Sequence, residues 1–377
     1  MHGLARFSSS MPGSALAAAM KQSRGQGAHA PQRTPQPPWS RRTFCGLGAT
    51  ALSAYALSGC RTSLGHGLTH ALGWVPNVEY ANFWIALDQG LFAQEGVPLK
   101  YLAGGPNVPQ PVIEIAAEQA NIGDSDWLPL LDALDHGNDF VILASLFPVA
   151  PVGLISLPRR PIHKPADLVG AKLLVQGPAE RRVMDATFRL NHLPRDYEFV
   201  PVGFSPEALM AGAGDAYYCF ITNQPLTLEA MGLKKGTDFF VTSMYELGYR
   251  VPSALVITHR KTLETQRPML VAYLRALLRA RAINLRDASY AATLTVTRYG
   301  GDLGLELEQQ TRLNAMQTPL EIAPSNGLPF WISHEDLSGV MYEAAGITGH
   351  TKLPDPKRLL DNSLIAEAHR SLGLVHA

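Results

Sequence analysis

The chain has 377 residues, 46% of them hydrophobic and 17% charged, with 32 basic against 32 acidic side chains. That length holds one large or two ordinary domains with a sizeable core. The even balance hides an asymmetry: residues 1–59 carry six basic side chains (Arg6, Lys21, Arg24, Arg33, Arg41, Arg42) and no acidic one, which leaves 26 basic against 32 acidic groups beyond them, a net of −6. A body of that sign repels nucleic acid and anionic lipid, so neither is expected as a ligand.

Ser40-Arg41-Arg42-Thr43-Phe44 is a twin-arginine pattern, followed over 44–57 by an apolar stretch too short to span a membrane. The stretch closes on Leu57-Ser58-Gly59-Cys60, which resembles the lipobox of bacterial lipoproteins, where the cysteine is lipidated and becomes the new N-terminus. Residues 1–59 are therefore expected to be an export signal, Cys60 a lipid anchor and 60–67 a tether, with the protein held at the periplasmic or extracellular face of the membrane. The three cysteines, Cys45, Cys60 and Cys219, build no disulfide framework, and Cys219 lies in an apolar run where a buried, inert thiol is expected. His66 and His70 stand four apart with no third ligand near, so no metal is expected.

Along the remaining chain, strands alternate with helices. Residues 68–74 read as a strand, and Tyr80, Phe83, Trp84, Leu87 and Leu91 then fall at helical spacing on one face, of which Phe83, Trp84 and Leu87 are expected to be core. Further strands are expected over 97–102, ending at 121–123, and over 140–147, 152–157, 172–176, 197–202, 216–221, 238–242 and 254–258, with helices starting near Trp127, Pro165 and Ala179. Asp124 is expected to cap the helix at Trp127, and Asp167 to be a first-turn charge. From Thr262 the chain turns almost wholly helical, with Leu263, Leu270, Tyr273, Leu274, Leu277 and Leu278 in helical register. Such alternation predicts a largely parallel sheet covered on both faces.

An open parallel sheet binds its ligand beyond the carboxyl ends of its strands. Those ends carry Trp74, Asn77 and Tyr80, then Asp124, Ser125, Asp126 and Trp127, then Phe147, Gln176 and Tyr218 through Asn223. Aromatic faces beside a few amides and carboxylates suit a flat, polar heterocycle.

Several stretches in this order resemble one family: Gly73-Trp74-Val75-Pro76-Asn77, Asp88-Gln89-Gly90-Leu91-Phe92, Gly104-Gly105-Pro106-Asn107, Asn121-Ile122-Gly123-Asp124, Lys164-Pro165-Ala166-Asp167-Leu168 and Thr222-Asn223-Gln224-Pro225. They are similar to the substrate-binding proteins of ABC importers grouped with the thiamine-pyrimidine-precursor (NMT1/THI5-like) and the nitrate, sulfonate and taurine receptors. The resemblance implies an α/β type II periplasmic-binding-protein fold, two α/β lobes around a ligand cleft with a helical C-terminal region. It implies lobe 1 over 68–160 and 249–377, lobe 2 over 161–248, and a monomer that closes on a small-molecule solute and presents it to an ABC permease.

The Trp-Val-Pro-Asn loop is more similar to receptors for thiamine-related pyrimidines and riboflavin than to those for nitrate or sulfonates. By that resemblance Trp74 and Tyr80 would flank a ring, Asn77 would hydrogen-bond it, Ser125, Asp126 and Trp127 would line one lobe, and Tyr218, Asn223 and Glu246 the other; Phe147 and Gln176 join them as strand-end residues. Gly104 and Gly105 would offer backbone N–H groups, or simply turn the chain. Enzymes of this fold that make the thiamine pyrimidine use a histidine, a lysine and a cysteine-rich stretch. Here Ala216-Tyr217-Tyr218-Cys219-Phe220 holds one cysteine and no adjacent histidine, so neither a catalytic residue nor a cofactor is expected.

Overall fold

The computed structural model describes residues 67–374. The twin-arginine stretch, Cys60 and the expected tether up to residue 66 lie outside the described residues. The strands, in chain order, are β1 (Leu68–Ala71), β2 (Leu99–Leu102), β3 (Ile122–Ser125), β4 (Phe140–Phe147), β5 (Val152–Ser156), β6 (Ala171–Val175), β7 (Tyr197–Pro201), β8 (Ala216–Phe220), β9 (Phe240–Ser243) and β10 (Ser253–His259). They form two five-stranded sheets, ordered β2-β1-β3-β10-β4 and β7-β6-β8-β5-β9. The fold is that of the periplasmic binding proteins.

Each sheet is mixed rather than wholly parallel. In the first, β1 runs parallel to β2 and β3, while β10 is antiparallel to β3 and β4. In the second, β6 runs parallel to β7 and β8, while β5 is antiparallel to β8 and β9. The two reversed strands are those by which the chain enters each sheet from the other: residues 148–151 carry it from β4 to β5, and 244–252 from β9 back to β10. The lobe boundary expected at residue 160 is thereby corrected, because β5 already pairs in the second sheet, with Val152 opposite Phe220 and Gly153 opposite Ser243. Both β4 and β5 are buried apolar runs, and only their partners tell which sheet each one joins.

The helix Ala81–Asp88 buries Phe83 and Trp84, as their spacing predicts, against the long helix Arg260–Asn284. That helix is kinked at Gln266 (φ −129°), two residues before Pro268, whose ring crowds the preceding turn and which has no N–H to continue the ladder. Its Leu270, Tyr273, Leu274, Leu277 and Leu278 enter the core of the first lobe. Two other helices matter for the site. Trp127–Asp135 starts directly after β3 and Pro178–Leu190 directly after β6, so both begin at the carboxyl ends of parallel strands beside the gap between the sheets. A second apolar core runs across both lobes, joining Trp127 and Leu337 to Leu154, Leu173 and Met184.

Candidate functional site

The loop after β1 is set by a buried polar network rather than by its own turn residues. His70 on β1 places Nε2 2.9 Å from Asp124 Oδ1, and its Nδ1 lies 2.9 Å from the hydroxyl of Tyr273 on the long helix. The other carboxylate oxygen, Oδ2, accepts from Gly73 N (3.0 Å) and from the Tyr80 hydroxyl (3.1 Å), which itself accepts from Trp74 N (2.8 Å). Asp124 is thus the hub of the loop and not a helix cap, because its oxygens are already engaged with β1 and the loop that follows. Asn77 caps the short turn Val78–Tyr80, its Oδ1 accepting from Glu79 N at 2.8 Å. Backbone contact closes the arrangement: a Cβ on Gly104 would sit 2.2 Å from Leu72 O and 2.7 Å from Trp74 N, so only glycine lets the two loops meet.

Two chambers lie between the lobes, on either side of the first crossing segment. Phe147 and Pro151 face one; Ala150 and Val152 face the other. The first, about 30 Å³, is lined by Trp74, Asn77, Glu79 and Phe147 of the first lobe and by Phe220, Thr222 and Asn223 of the second, with Leu313 and Gln317 from the C-terminal helix Leu307–Gln317. The second, about 120 Å³, is lined by Asp126, Trp127, Glu180, Tyr218, Tyr249 and Ser253 among apolar side chains that include Val152, Val183 and Val251. Among the described residues, no lysine or arginine lines either chamber. Burial, with Asp124 and Asp126 nearby, pushes the Glu79 carboxyl up to about 8. Asp126, exposed as a residue but with protein gathered around its carboxyl, is raised as well: desolvation outweighs the hydrogen bond from Ala254 N, and Asp124 and Glu180 add to the rise.

The structure brings Trp74, Asn77, Phe147 and Asn223 into one chamber and Asp126, Trp127 and Tyr218 into the other. Trp127 contributes little more than an edge, since it is 2% exposed, donates its indole N–H to Met341 O and stacks on Tyr342. Tyr80 is buried behind the Trp74 loop, which it braces. Ser125 is buried with its hydroxyl on Asp126 O, Gln176 donates to Tyr218 O, and Gly104 and Gly105 belong to the loop contact. Glu246 lies outside both chambers: its carboxylate closes the turn after β9 on the N–H and hydroxyl of Ser243. Cys219 is buried, and burial pushes its thiol up.

Glu79, Glu180, Tyr249 and Phe204 have no counterpart in the sequence-based site. The Phe204 ring, from the loop after β7, meets Trp74 across the cleft at 5.8 Å between centroids. Other bonds also join the lobes. Arg182 binds Asp132 through two nitrogens at 3.0 and 3.1 Å, Gln309 donates to Asn223 Oδ1 at 2.9 Å, and Arg312 pairs with Glu229.

The family model described as NMT1/THI5 like matches residues 77–287, and the chain belongs to that family. No curated protein sequence matches it. Among solved structures, it is similar to a putative periplasmic sulfonate-binding protein SsuA of Methylobacillus flagellatus KT (TM-score 0.60, 14% identity, 81% of this chain and 94% of that one). It is also similar to the periplasmic nitrate-binding protein NrtA of Synechocystis PCC 6803 (TM-score 0.54, 14% identity, 82% and 90%). The desulfurization enzyme DszB matches as well (TM-score 0.52, 14% identity, 81% and 99%). At such identities the likeness is one of fold.

Proposed function

We propose that this member of the NMT1/THI5-like family is the extracytoplasmic solute-binding component of an ABC importer. Its solute is a flat, N–H-rich heterocycle of the thiamine-pyrimidine-precursor or riboflavin class, enclosed between the lobes and delivered to the permease. Its place is the outer face of the membrane, tethered through Cys60. The fold carries binding proteins and an enzyme alike, so the reading rests on the site.

One observation carries the choice of ligand: the cleft presents aromatic rings, amides and carboxyl groups but no cationic side chain. A receptor for nitrate or an alkyl sulfonate needs positive charge or free helix N-termini for the oxyanion. Here the two helices that begin at the cleft have Asp126 and Glu180 beside their first turns, where an anion would otherwise be welcome. Trp74 and Phe147 offer faces for a ring, and the Asn77 amide N–H₂ has no partner among the described residues once Oδ1 has capped Glu79 N. With its carboxyl raised to about 8, Glu79 is largely protonated near neutral pH. It then holds one donor and one acceptor side by side, the complement of a ring nitrogen next to an amino group.

Thermal melting of the protein against hydroxymethyl- and formylamino-pyrimidines, thiamine, riboflavin, taurine, an alkyl sulfonate and nitrate tests this. A heterocycle at about a hundred times its Kd should add about 2.7 kcal/mol, a rise of a few degrees. Stabilisation by the sulfonate or nitrate alone would overturn the ligand class.

A further inference from the structure

We infer that the chamber between Asp126 and Glu180 is a recognition site for a compact organic cation, a primary ammonium or amidinium group. This rests on the cleft being the ligand site and adds a charge to the ligand's description. The two carboxylates come from opposite lobes, Asp126 from the loop after β3 and Glu180 from the first turn of the helix after β6. Asp126 has one protein hydrogen bond to its side chain, from Ala254 N at 3.3 Å, and Glu180 has none among the described residues.

Two phenols complete the lining. Tyr218 and Tyr249 are 7% and 6% exposed, both line the chamber, and neither hydroxyl has a hydrogen-bond partner among the described residues. Both hydroxyl oxygens open onto the chamber and are not closed off from it, so a ligand group placed there can complete their bonding. An ammonium or amidinium group supplies what the wall lacks, donors for two carboxylates and two phenol oxygens, with aromatic rings beside the positive charge. A metal ion fits less well, because no group of three or more metal-ligating side chains occurs among the described residues.

The arrangement also ties the charge to closure. Asp126 and Glu180 line one chamber from opposite lobes and repel each other, and a cation between them converts that repulsion into a bridge between lobes. The basic side chain two positions on from Glu180, Arg182, is committed to Asp132 and does not line the chamber.

The test is titration calorimetry of the full chain with n-butylammonium, and with n-butanol and butyrate as neutral and anionic isosteres. Butylammonium should bind at least about tenfold tighter than either isostere. Asp126→Asn and Glu180→Gln should each abolish that preference, whereas Glu246→Gln, outside the chamber, should keep it. Tyr249→Phe, which leaves the fold's packing unchanged, should weaken butylammonium by a few-fold even if a carboxylate variant fails to fold. Equal affinity for the amine and the alcohol, or a preference that survives the chamber variants, overturns the inference. Binding of a pyrimidine without any amine preference would sink the cation site and leave the receptor reading standing. Amine binding with no response to any heterocycle would do the reverse.

Discussion

Glu79, on the wall of the smaller chamber, carries a carboxyl whose ionisation the fold opposes. An ordinary glutamate ionises near 4.5, but in the folded protein burial and the neighbouring Asp124 and Asp126 raise Glu79 to about 8. The folded state therefore holds this proton more tightly than the unfolded chain does. Its contribution is whole below about pH 4.5 and is lost as the pH climbs through about 8. Glu79→Gln, which cannot ionise, should melt above wild type at about pH 9 and close to it at about pH 5, as read by calorimetric scans at both. Equal melting at both would mean that the carboxyl is not strained. Trp74, on the same chamber wall, is proposed to act in the complex instead. Trp74→Ala should weaken heterocycle binding by roughly 1–3 kcal/mol, the loss expected of a buried aromatic contact, and an unchanged Kd would remove it from the site.

At the scale of elements, the ligand loop is held from behind. The line Tyr273, His70, Asp124, Tyr80, Trp74 N ties the long C-terminal helix to the loop after β1, and Gly104 fixes the distance between that loop and the one after β2. Gly104→Ala would place a methyl group 2.2 Å from Leu72 O, so the loops must part. The variant should lose about 1–3 kcal/mol of unfolding free energy in urea and bind ligand more weakly. Full stability would show that the loops separate at no cost. A second buried network, Arg281 and Asn82 on Glu321, holds the helix Ala81–Asp88 to the C-terminal region in the same way.

In the whole molecule, the lobes share an apolar core and are joined beside the chambers by a few polar contacts. Arg182 with Asp132, Arg312 with Glu229 and Gln309 with Asn223 link the lobes beside the chambers. Exposed pairs of this kind contribute on the order of 1 kcal/mol or less apiece. Arg182→Ala combined with Arg312→Ala should therefore enlarge the radius of gyration of the empty protein in small-angle scattering, and ligand should restore it. No change in the empty protein would show that the apolar core shared by the lobes, not these bonds, holds them together. At the membrane, Cys60→Ser should release the protein into the soluble fraction with its affinity intact. Continued membrane attachment would contradict a lipid anchor.

The order of strands and helices was legible from the chain alone, because periodicity and turn residues are local properties. That Trp74, Asn77 and Asp126 would border the gap between the lobes was legible too, since loops at the carboxyl ends of parallel strands meet wherever such a sheet forms. The crossing at residues 148–151 was not, for β4 and β5 are alike in composition and differ only in the sheet each joins. Nor were Glu79 and Glu180: a carboxylate in a first turn satisfies the local rule for a helix start, and only the approach of the second lobe shows that it faces a cavity. Trp127 and Tyr80 show the other direction. Their rings stand at the right place in the chain, but Met341 takes the indole N–H of Trp127 and Asp124 the hydroxyl of Tyr80. What the sequence determined by itself was the set of elements and the loops that carry polar and aromatic side chains. The tertiary structure decided which of those side chains remain free for a ligand, because a hydrogen-bonding group is available only when no residue distant in sequence has already satisfied it.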